Sequence, residues 1–468
     1  VPLAAAQRRL WFINQFDPAS GAYNIAFAAR LTGALDLGAL RAAFEDVVGR
    51  HEPLRTVYPT VASEPCQVVR DVAAVAERLT PDAEPVEEAV LADRIRETVE
   101  AGFDVSAEVP LRVRIYRLAP EQHILVLAVH HIAADGASMA PLARDIFTAY
   151  AARVKGEAPQ WEPLPVHYAD YTLWQREVLG AEEDPASVTA RQAAYWTAAL
   201  ADAPELLDLP TDRPRPATMS MAGGSVRFGI PPRLHEEVVR LARREGVTVF
   251  VVLHSALAIV LSRTAHTGDV SIGTPVAGRA TAALDDLVGM FVNTVVLRTP
   301  VRDDVSFTEF VAQVRGVDLE ALEHADLPYE RLVDLLDRPR STAYTPLYQV
   351  LFGVQNTGAA RFRLPDVEVE LIDPGVAQAK TDLTVLLTDN PDRDGVGMDG
   401  EIIYATDLFA ESTARGLADR FVRVLDAVVG DPARPVGDIA LIGADEAERL
   451  VPARGGAAPA PRLLPELL

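Results

Sequence analysis

The stretch that constrains the fold most is His123-Ile-Leu-Val-Leu-Ala-Val129, which runs straight into His130-His131-Ile-Ala-Ala-Asp135-Gly136-Ala-Ser138. Its seven residues, nearly all apolar, predict a strand buried on both faces, so the chain must pack against it from two sides. Beyond it, Ser138-Met139-Ala-Pro141-Leu142-Ala143-Arg-Asp-Ile146-Phe147-Thr-Ala-Tyr150 carries apolar residues at helical spacing. Ser138 is the expected N-cap, and Pro141 is tolerated in the first turn. The unit is a buried strand, a polar loop and a helix, with two adjacent histidines where the strand ends.

Histidine is the side chain best suited to move a proton near neutral pH. Neighbouring strand residues point to opposite faces, so one of His130 and His131 is expected to do chemistry while the other is held by packing or hydrogen bonds. Asp135 is placed to curl back and fix the loop, and Gly136 to supply a backbone angle that other residues resist. Taken alone, a histidine pair is more often a satisfied loop feature. The spacing His-His-x-x-x-Asp-Gly, however, resembles the signature of nonribosomal peptide synthetase condensation domains, a family similar in fold to chloramphenicol acetyltransferase.

A chain of 468 residues exceeds what one compact core usually holds, so two lobes are expected. Apolar content of 49% with mixed strand and helix patterns indicates a soluble α/β or α+β protein. The net charge of −23, without any Lys/Arg run interleaved with aromatics, argues against nucleic acid and anionic membrane as partners. No apolar run reaches the ~20 residues needed to span a bilayer, and Arg8 and Arg9 interrupt any signal-peptide core. The single cysteine, Cys66, fits a reducing compartment and reads as an inert, partly buried thiol. A cytoplasmic location is the expectation.

Other stretches resemble further motifs of the same family, in order. Val1 opens directly into Leu3-Ala-Ala-Ala-Gln7-Arg8-Arg9-Leu10-Trp11-Phe12, as in a piece cut from a longer polypeptide. It reads as an amphipathic helix with Leu10, Trp11 and Phe12 in the core, and it resembles the first motif with Ala4 in place of serine. Arg50-His51-Glu52-Pro53-Leu54-Arg55-Thr56 follows a helix that Asp36 is expected to cap, and resembles the second. Val166-His167-Tyr168-Ala169-Asp170-Tyr171-Thr172-Leu173-Trp174 resembles the fourth; its aromatics read as core and His167 as a satisfied, partly buried residue. The proline-rich stretch Leu209–Pro216 is an extended linker, and the lobe boundary is expected near 177. Ile272-Gly-Thr-Pro275-Val-Ala-Gly278-Arg279 with Val288-Gly289-Met-Phe291-Val292-Asn293-Thr294 resembles the fifth motif. Ser306-x-x-Glu309 is a capping box for a helix over 307–323. His324–Val333 and Arg340–Phe352 resemble the sixth and seventh motifs, with His324 a helix-end structural residue. Strands near 366–372, 381–388 and 401–404 and a helix over 410–429 are expected to finish the second lobe.

The resemblance implies an α/β fold with α+β mixed sheets, built as two chloramphenicol acetyltransferase-like lobes in a V-shaped pseudo-dimer around a central active-site tunnel. The lobes would be residues 1–177, with the histidine motif, and 178–443, with floor-loop and latch segments; 444–468 would be a linker toward a following adenylation domain. It implies an acyltransferase-type enzyme that forms a peptide bond by attack of an acceptor aminoacyl-carrier amine on a donor peptidyl-carrier thioester. By that resemblance His131 is catalytic. His130 supports it, Asp135 and Gly136 shape the loop, and Arg279 pairs with Asp135 to tie the lobes together. Asn293 would be a polar wall residue, while Arg50 and Arg55 are framework residues near the channel. The partners implied are upstream donor and downstream acceptor carrier domains, each bringing 4′-phosphopantetheine; the domain itself would bind no cofactor. No metal is expected, because a histidine pair plus one aspartate lacks zinc-like spacing.

Within the superfamily, an epimerisation domain and a non-catalytic recruiting module are the alternatives. Cyclisation relatives replace the histidine pair with aspartates. Recruiting relatives lose the second histidine or the glycine, and both His131 and Gly136 stand here. The wording around Arg279 and Asn293 is more similar to the subtype that accepts a D-configured donor residue. Many members have tryptophan after the glycine, where this chain has Ala137, a smaller residue that leaves more space beside the site.

Overall fold

The computed structural model describes residues 1–79, 82–338, 341–355, 364, 366–375, 377–389, 397–443 and 446–448. Side chains of the strand Gln122–His130 divide between two cores. Ile124 and Val126 pack with Leu91, Ile95, Val99 and Tyr116, the first three on helix Glu88–Glu100. On the other face Leu125, Leu127 and Val129 meet Leu40, Phe44, Ile146 and Phe147, from helices Leu37–Arg50 and Met139–Arg153. Packing on both faces requires a central strand, and the five-stranded sheet runs Val367–Ile372, Asn24–Gly33, Gln122–His130, Leu111–Ala119, Ala83–Pro85. Only its last pair is parallel.

A second sheet of six strands runs Asn293–Pro300, Asp269–Val276, Val350–Gln355, Leu383–Asp389, Met398–Ala405, Gly223–Ile230 and mixes parallel with antiparallel neighbours. The most apolar helix, Val249–Ala265, lies inside its core, N-capped by Thr248. The preceding helix ends at Gly246 in the left-handed conformation that glycine adopts without strain. Ser306 and Glu309 form the reciprocal cap that starts helix Phe307–Glu323. The protein is therefore a mixed α/β fold with two mixed sheets. Among the described residues no single helix is long and apolar enough to cross a membrane.

Some expectations change. Strand Val367–Ile372 does not finish the second sheet: it pairs antiparallel with Asn24–Gly33, from Ala28 opposite Ile372 to Gly33 opposite Val367. Leu284, Leu287, Val288 and Phe291 likewise pack into the first core, far from their sequence neighbours. The two cores are thus interlaced along the chain, and residue 177 falls inside helix Tyr168–Leu179. Phe12 is 52% exposed, edge-on to Phe16, because helix Ala5–Phe16 turns Leu10 and not Phe12 inward. Trp174 and His167 are also exposed, since helix Tyr168–Leu179 offers its core face through Tyr168 and Tyr171. Of the expected linker 444–468, all but 446–448 lies outside the described residues, as does Arg340.

Candidate active site

The histidine loop is shaped by hydrogen bonds that outlast the strand. The His131 N–H still donates across the sheet edge to the Tyr23 carbonyl at 2.8 Å, and the Ala133 N–H then turns back to the His130 carbonyl at 2.9 Å. His130 faces the protein interior: its Nδ1 accepts from the Ile132 N–H at 3.2 Å and its ring stands edge-on to Phe103. Burial, then the charges at His131 and Lys380, hold its pKa down to about 3, so the ring is neutral and serves as a fixed acceptor. Gln7, fully buried, clamps the loop from below by donating from Nε2 to the Ile132 carbonyl at 3.0 Å.

Asp135 is the hub beneath the loop. Its Oδ1 accepts from the Ser138 N–H at 2.9 Å and from Arg279 Nη2 at 3.0 Å; its Oδ2 accepts from Arg279 Nη1 at 2.9 Å and from the Phe291 N–H at 3.1 Å. The planar guanidinium fork thus meets the carboxylate at both oxygens, the geometry in which arginine binds a carboxylate most strongly. The pair is buried, and Arg279 also lies over the Phe291 ring. Ser138 stands at the N-cap position of helix Met139–Arg153 but its side chain makes no capping bond: Asp135 caps the short 3₁₀ turn Gly136–Ser138, and the Ser138 hydroxyl is drawn into the same cluster, accepting from Arg279 Nη2 and the Gly289 N–H. Gly136 is not in a left-handed conformation either, and a Cβ built there would meet nothing within 4 Å. Gly136 and Ala137 border open space, so their smallness keeps a cavity clear.

That cavity, about 880 Å³, lies between the two sheets' units and is lined by Tyr23, His131, Gly136, Met139 and Met290 from one and by Asn293, Glu330, Tyr348 and Lys380 from the other. His131 Nδ1 sits 3.1 Å from Met290 Sδ, which leaves Nε2 as the ring nitrogen available to the cavity. Burial and the Lys380 charge pull the His131 pKa down to about 4, against the opposing pull of Asp135 and nearby carbonyls. The imidazole is therefore neutral at pH 7, able to accept a hydrogen bond at Nε2. Asn293 lines the wall, but its amide is committed: Nδ2 donates to the Ala325 and Leu327 carbonyls, and Oδ1 accepts from the Tyr329 N–H.

The structure brings His131, Asp135, Gly136, Arg279 and Asn293 together around or beneath one cavity. Arg50 and Arg55 are elsewhere. Arg50 pairs with Asp145 beside His51 and lies over Trp161, while Arg55 donates to the Val48 and Arg70 carbonyls. Both brace the end of helix Leu37–Arg50. Sequence reasoning assigned no site role to Lys380, Gln7, Glu330 or Arg9, the last bound to Glu330 at 3.0 Å on the cavity wall. For Gln7 and Arg9 the signal was present, because both stand in the first motif. Lys380 is a lone cation ahead of a strand, without any spacing to mark it.

A family model described as condensation domain matches residues 1–451. Over 455 residues the chain is 45% identical to a dimodular nonribosomal peptide synthase of Bacillus subtilis (strain 168), which takes in 96% of this chain and 19% of that protein. It is 42% identical over 457 residues to an isonitrile lipopeptide synthase of Mycobacterium tuberculosis, covering 96% of this chain and 18% of that protein. The chain thus spans about a fifth of the length of these relatives. Among solved structures, the X-domain from teicoplanin biosynthesis superposes with a TM-score of 0.87 at 34% identity, over 94% of this chain and 97% of that one. The first condensation domain of the calcium-dependent antibiotic synthetase shares the fold, with a TM-score of 0.73 at 24% identity over 94% of this chain and 99% of that one. With a family match that runs over nearly its whole length, this chain belongs to the condensation-domain family.

Proposed function

We propose that this chain is the peptide-bond-forming condensation domain of a nonribosomal peptide synthetase. Its substrates are two thioesters on the 4′-phosphopantetheine arms of an upstream donor and a downstream acceptor carrier domain. The acceptor amine attacks the donor thioester carbonyl; the C–N bond forms, the C–S bond breaks, and the amine's proton ends on the departing thiol. The observation that carries the reading is a neutral His131 on the wall of a cavity that both halves of the molecule line, with its loop held from beneath by Asp135 and Arg279.

The low basicity of His131 supports one of two roles. An α-ammonium has a pKa near ~8, so moving its proton onto an imidazole at about 4 is uphill by roughly 5 kcal/mol. His131 therefore acts on an amine already neutral: Nε2 accepts an amine N–H, orients the nucleophile, and takes the proton once attack has made the nitrogen acidic. The Tyr168 hydroxyl is bonded to the Met290 carbonyl and the Ser138 hydroxyl to the Asp135–Arg279 cluster, and direct transfer without a covalent enzyme intermediate is the reading. We further propose that the donor residue is D-configured, on the resemblance around Arg279 and Asn293, and that residues 444–468 lead to an adenylation domain.

The test is to load donor carriers with L- and D-ending peptides, add an aminoacyl acceptor carrier, and read products by intact mass and chirality. Wild type is expected to elongate the acceptor, and His131→Ala to lower the rate by ~10²–10⁴. Altered donor stereochemistry without elongation would mean epimerisation. A second reading draws on the likeness to an X-domain solved in complex with OxyB, at TM-score 0.86 and 34% identity. A docking module of that kind would bind its partner equally well in wild type and His131→Ala, with no elongation by either.

A further inference from the structure

Among the described residues, one cation in the cavity, Lys380, has no carboxylate partner. Lys380 enters it just ahead of strand Leu383–Asp389, on backbone fixed from several directions. The Gln378 amide donates to the Gly21 carbonyl, the Thr345 hydroxyl to the Lys380 carbonyl, and Arg215 grips both oxygens of Asp382. The ammonium lies over the face of Tyr23, 4.8 Å from the ring centroid. Among the described residues it has no carboxylate and no hydrogen-bond acceptor. The other charges in the cavity are spent: Arg9 on Glu330, and Asp135 on Arg279.

An ammonium carries three N–H donors, and an aromatic face answers its charge without saturating them. Removing such a group from water without acceptors is costly, so it is retained where a ligand supplies them. Several other polar donors of the cavity are committed to backbone carbonyls: the Asn293 amide to those of Ala325 and Leu327, the Gln378 amide to that of Gly21 and the Thr345 hydroxyl to that of Lys380. Resting on the reaction proposed above, we propose that Lys380 donates a hydrogen bond to the oxygen of the donor acyl carbonyl and stabilises the negative charge that develops there during attack. As the amine nitrogen bonds to the carbon, the C=O electron pair moves onto the oxygen beside the Lys380 ammonium. It returns as the C–S bond breaks, and His131 passes the amine proton to the leaving sulfur.

The groups that face Lys380 are Arg9 and Tyr348, Tyr23, His131, Glu330 and, below the loop, Asp135. Burial and then the Arg9 charge lower the Lys380 pKa to about 8. The side chain is protonated at pH 7, and an alkaline limb in the rate is expected above about pH 8. Lys380 in turn lowers the pKa of His131.

The experiment is the elongation assay run with wild type, Lys380→Met and Lys380→Arg, with kcat and KM resolved from pH 6 to 9.5. Lys380→Met is expected to lose about 10²-fold in kcat with KM for both carriers little changed. It should also lose the alkaline limb and, by NMR, show the His131 pKa moved up. Lys380→Arg keeps the charge and should recover part of kcat. Melting curves check folding, and Lys380→Met should melt no earlier than wild type, because it removes a half-buried cation that has no carboxylate partner among the described residues. An unchanged kcat and pH profile in Lys380→Met, or a loss confined to KM, would overturn the inference while leaving the condensation reading standing. No elongation by wild type would overturn both.

Discussion

Burial keeps His130 and His131 neutral, and this makes the folded state sensitive to acid. Both rings have folded pKa values below the ordinary value of 6.5, at about 3 and about 4. The unfolded chain therefore takes up protons first: their contribution is complete above pH 6.5 and is lost as pH falls, down to about 4 for His131 and about 3 for His130. For His131 alone the loss is about 2 kcal/mol by pH 5. The urea midpoint is expected to fall between pH 7 and 5, and His131→Gln should flatten that fall; identical slopes for the two proteins would contradict the pKa assignment. Two glycines make a second test. Gly136→Ala adds a methyl that meets nothing within 4 Å, so the melting temperature should hold. Gly289→Ala puts a Cβ 2.2 Å from the Tyr168 ring and should lower it by several degrees.

At the scale of elements, that second glycine shows how the site is assembled. The loop 284–291 brings Val288, Met290 and Phe291 into the first core, and the close approach of Gly289 to Tyr168 sets its depth. Met290 then faces the His131 ring, and the Phe291 N–H reaches Asp135. Much of this was legible in the sequence. The apolar run before His130 marks a strand covered on both faces, and the Ser306–Glu309 box marks a helix start, because burial and capping leave local patterns. The partner of Val367–Ile372 was not legible. It is an edge strand with mixed exposure, and it pairs with residues more than 300 positions away, a relation that no local periodicity encodes. Lys380 escaped for the same reason: its meaning depends on Tyr23 and His131, neither near it in sequence. Gly136 was misread because glycine signals either backbone freedom or missing bulk, and only the surrounding space distinguishes them.

Across the whole molecule, the Asp135–Arg279 pair joins the histidine loop to a segment of the second half. Breaking it from one side should cost on the order of 3–5 kcal/mol, because the remaining charge stays buried. Asp135→Asn and Arg279→Gln are therefore each expected to lower the melting temperature and the elongation rate together. The double replacement Asp135→Leu with Arg279→Met should be less damaging to stability than the sum of the single losses, as a double-mutant cycle would measure. Strict additivity would mean that the two residues do not act as a unit. The strand Val367–Ile372 extends the same interdependence to the sheet itself. Its consequence concerns recombination between synthetases. A crossover placed in the middle of this chain would give the first sheet an edge strand from one parent and its neighbour Asn24–Gly33 from the other. Exchanges that keep residues 24–372 from one parent preserve that pairing, so viable shuffling boundaries should lie outside this interval, toward the ends of the chain.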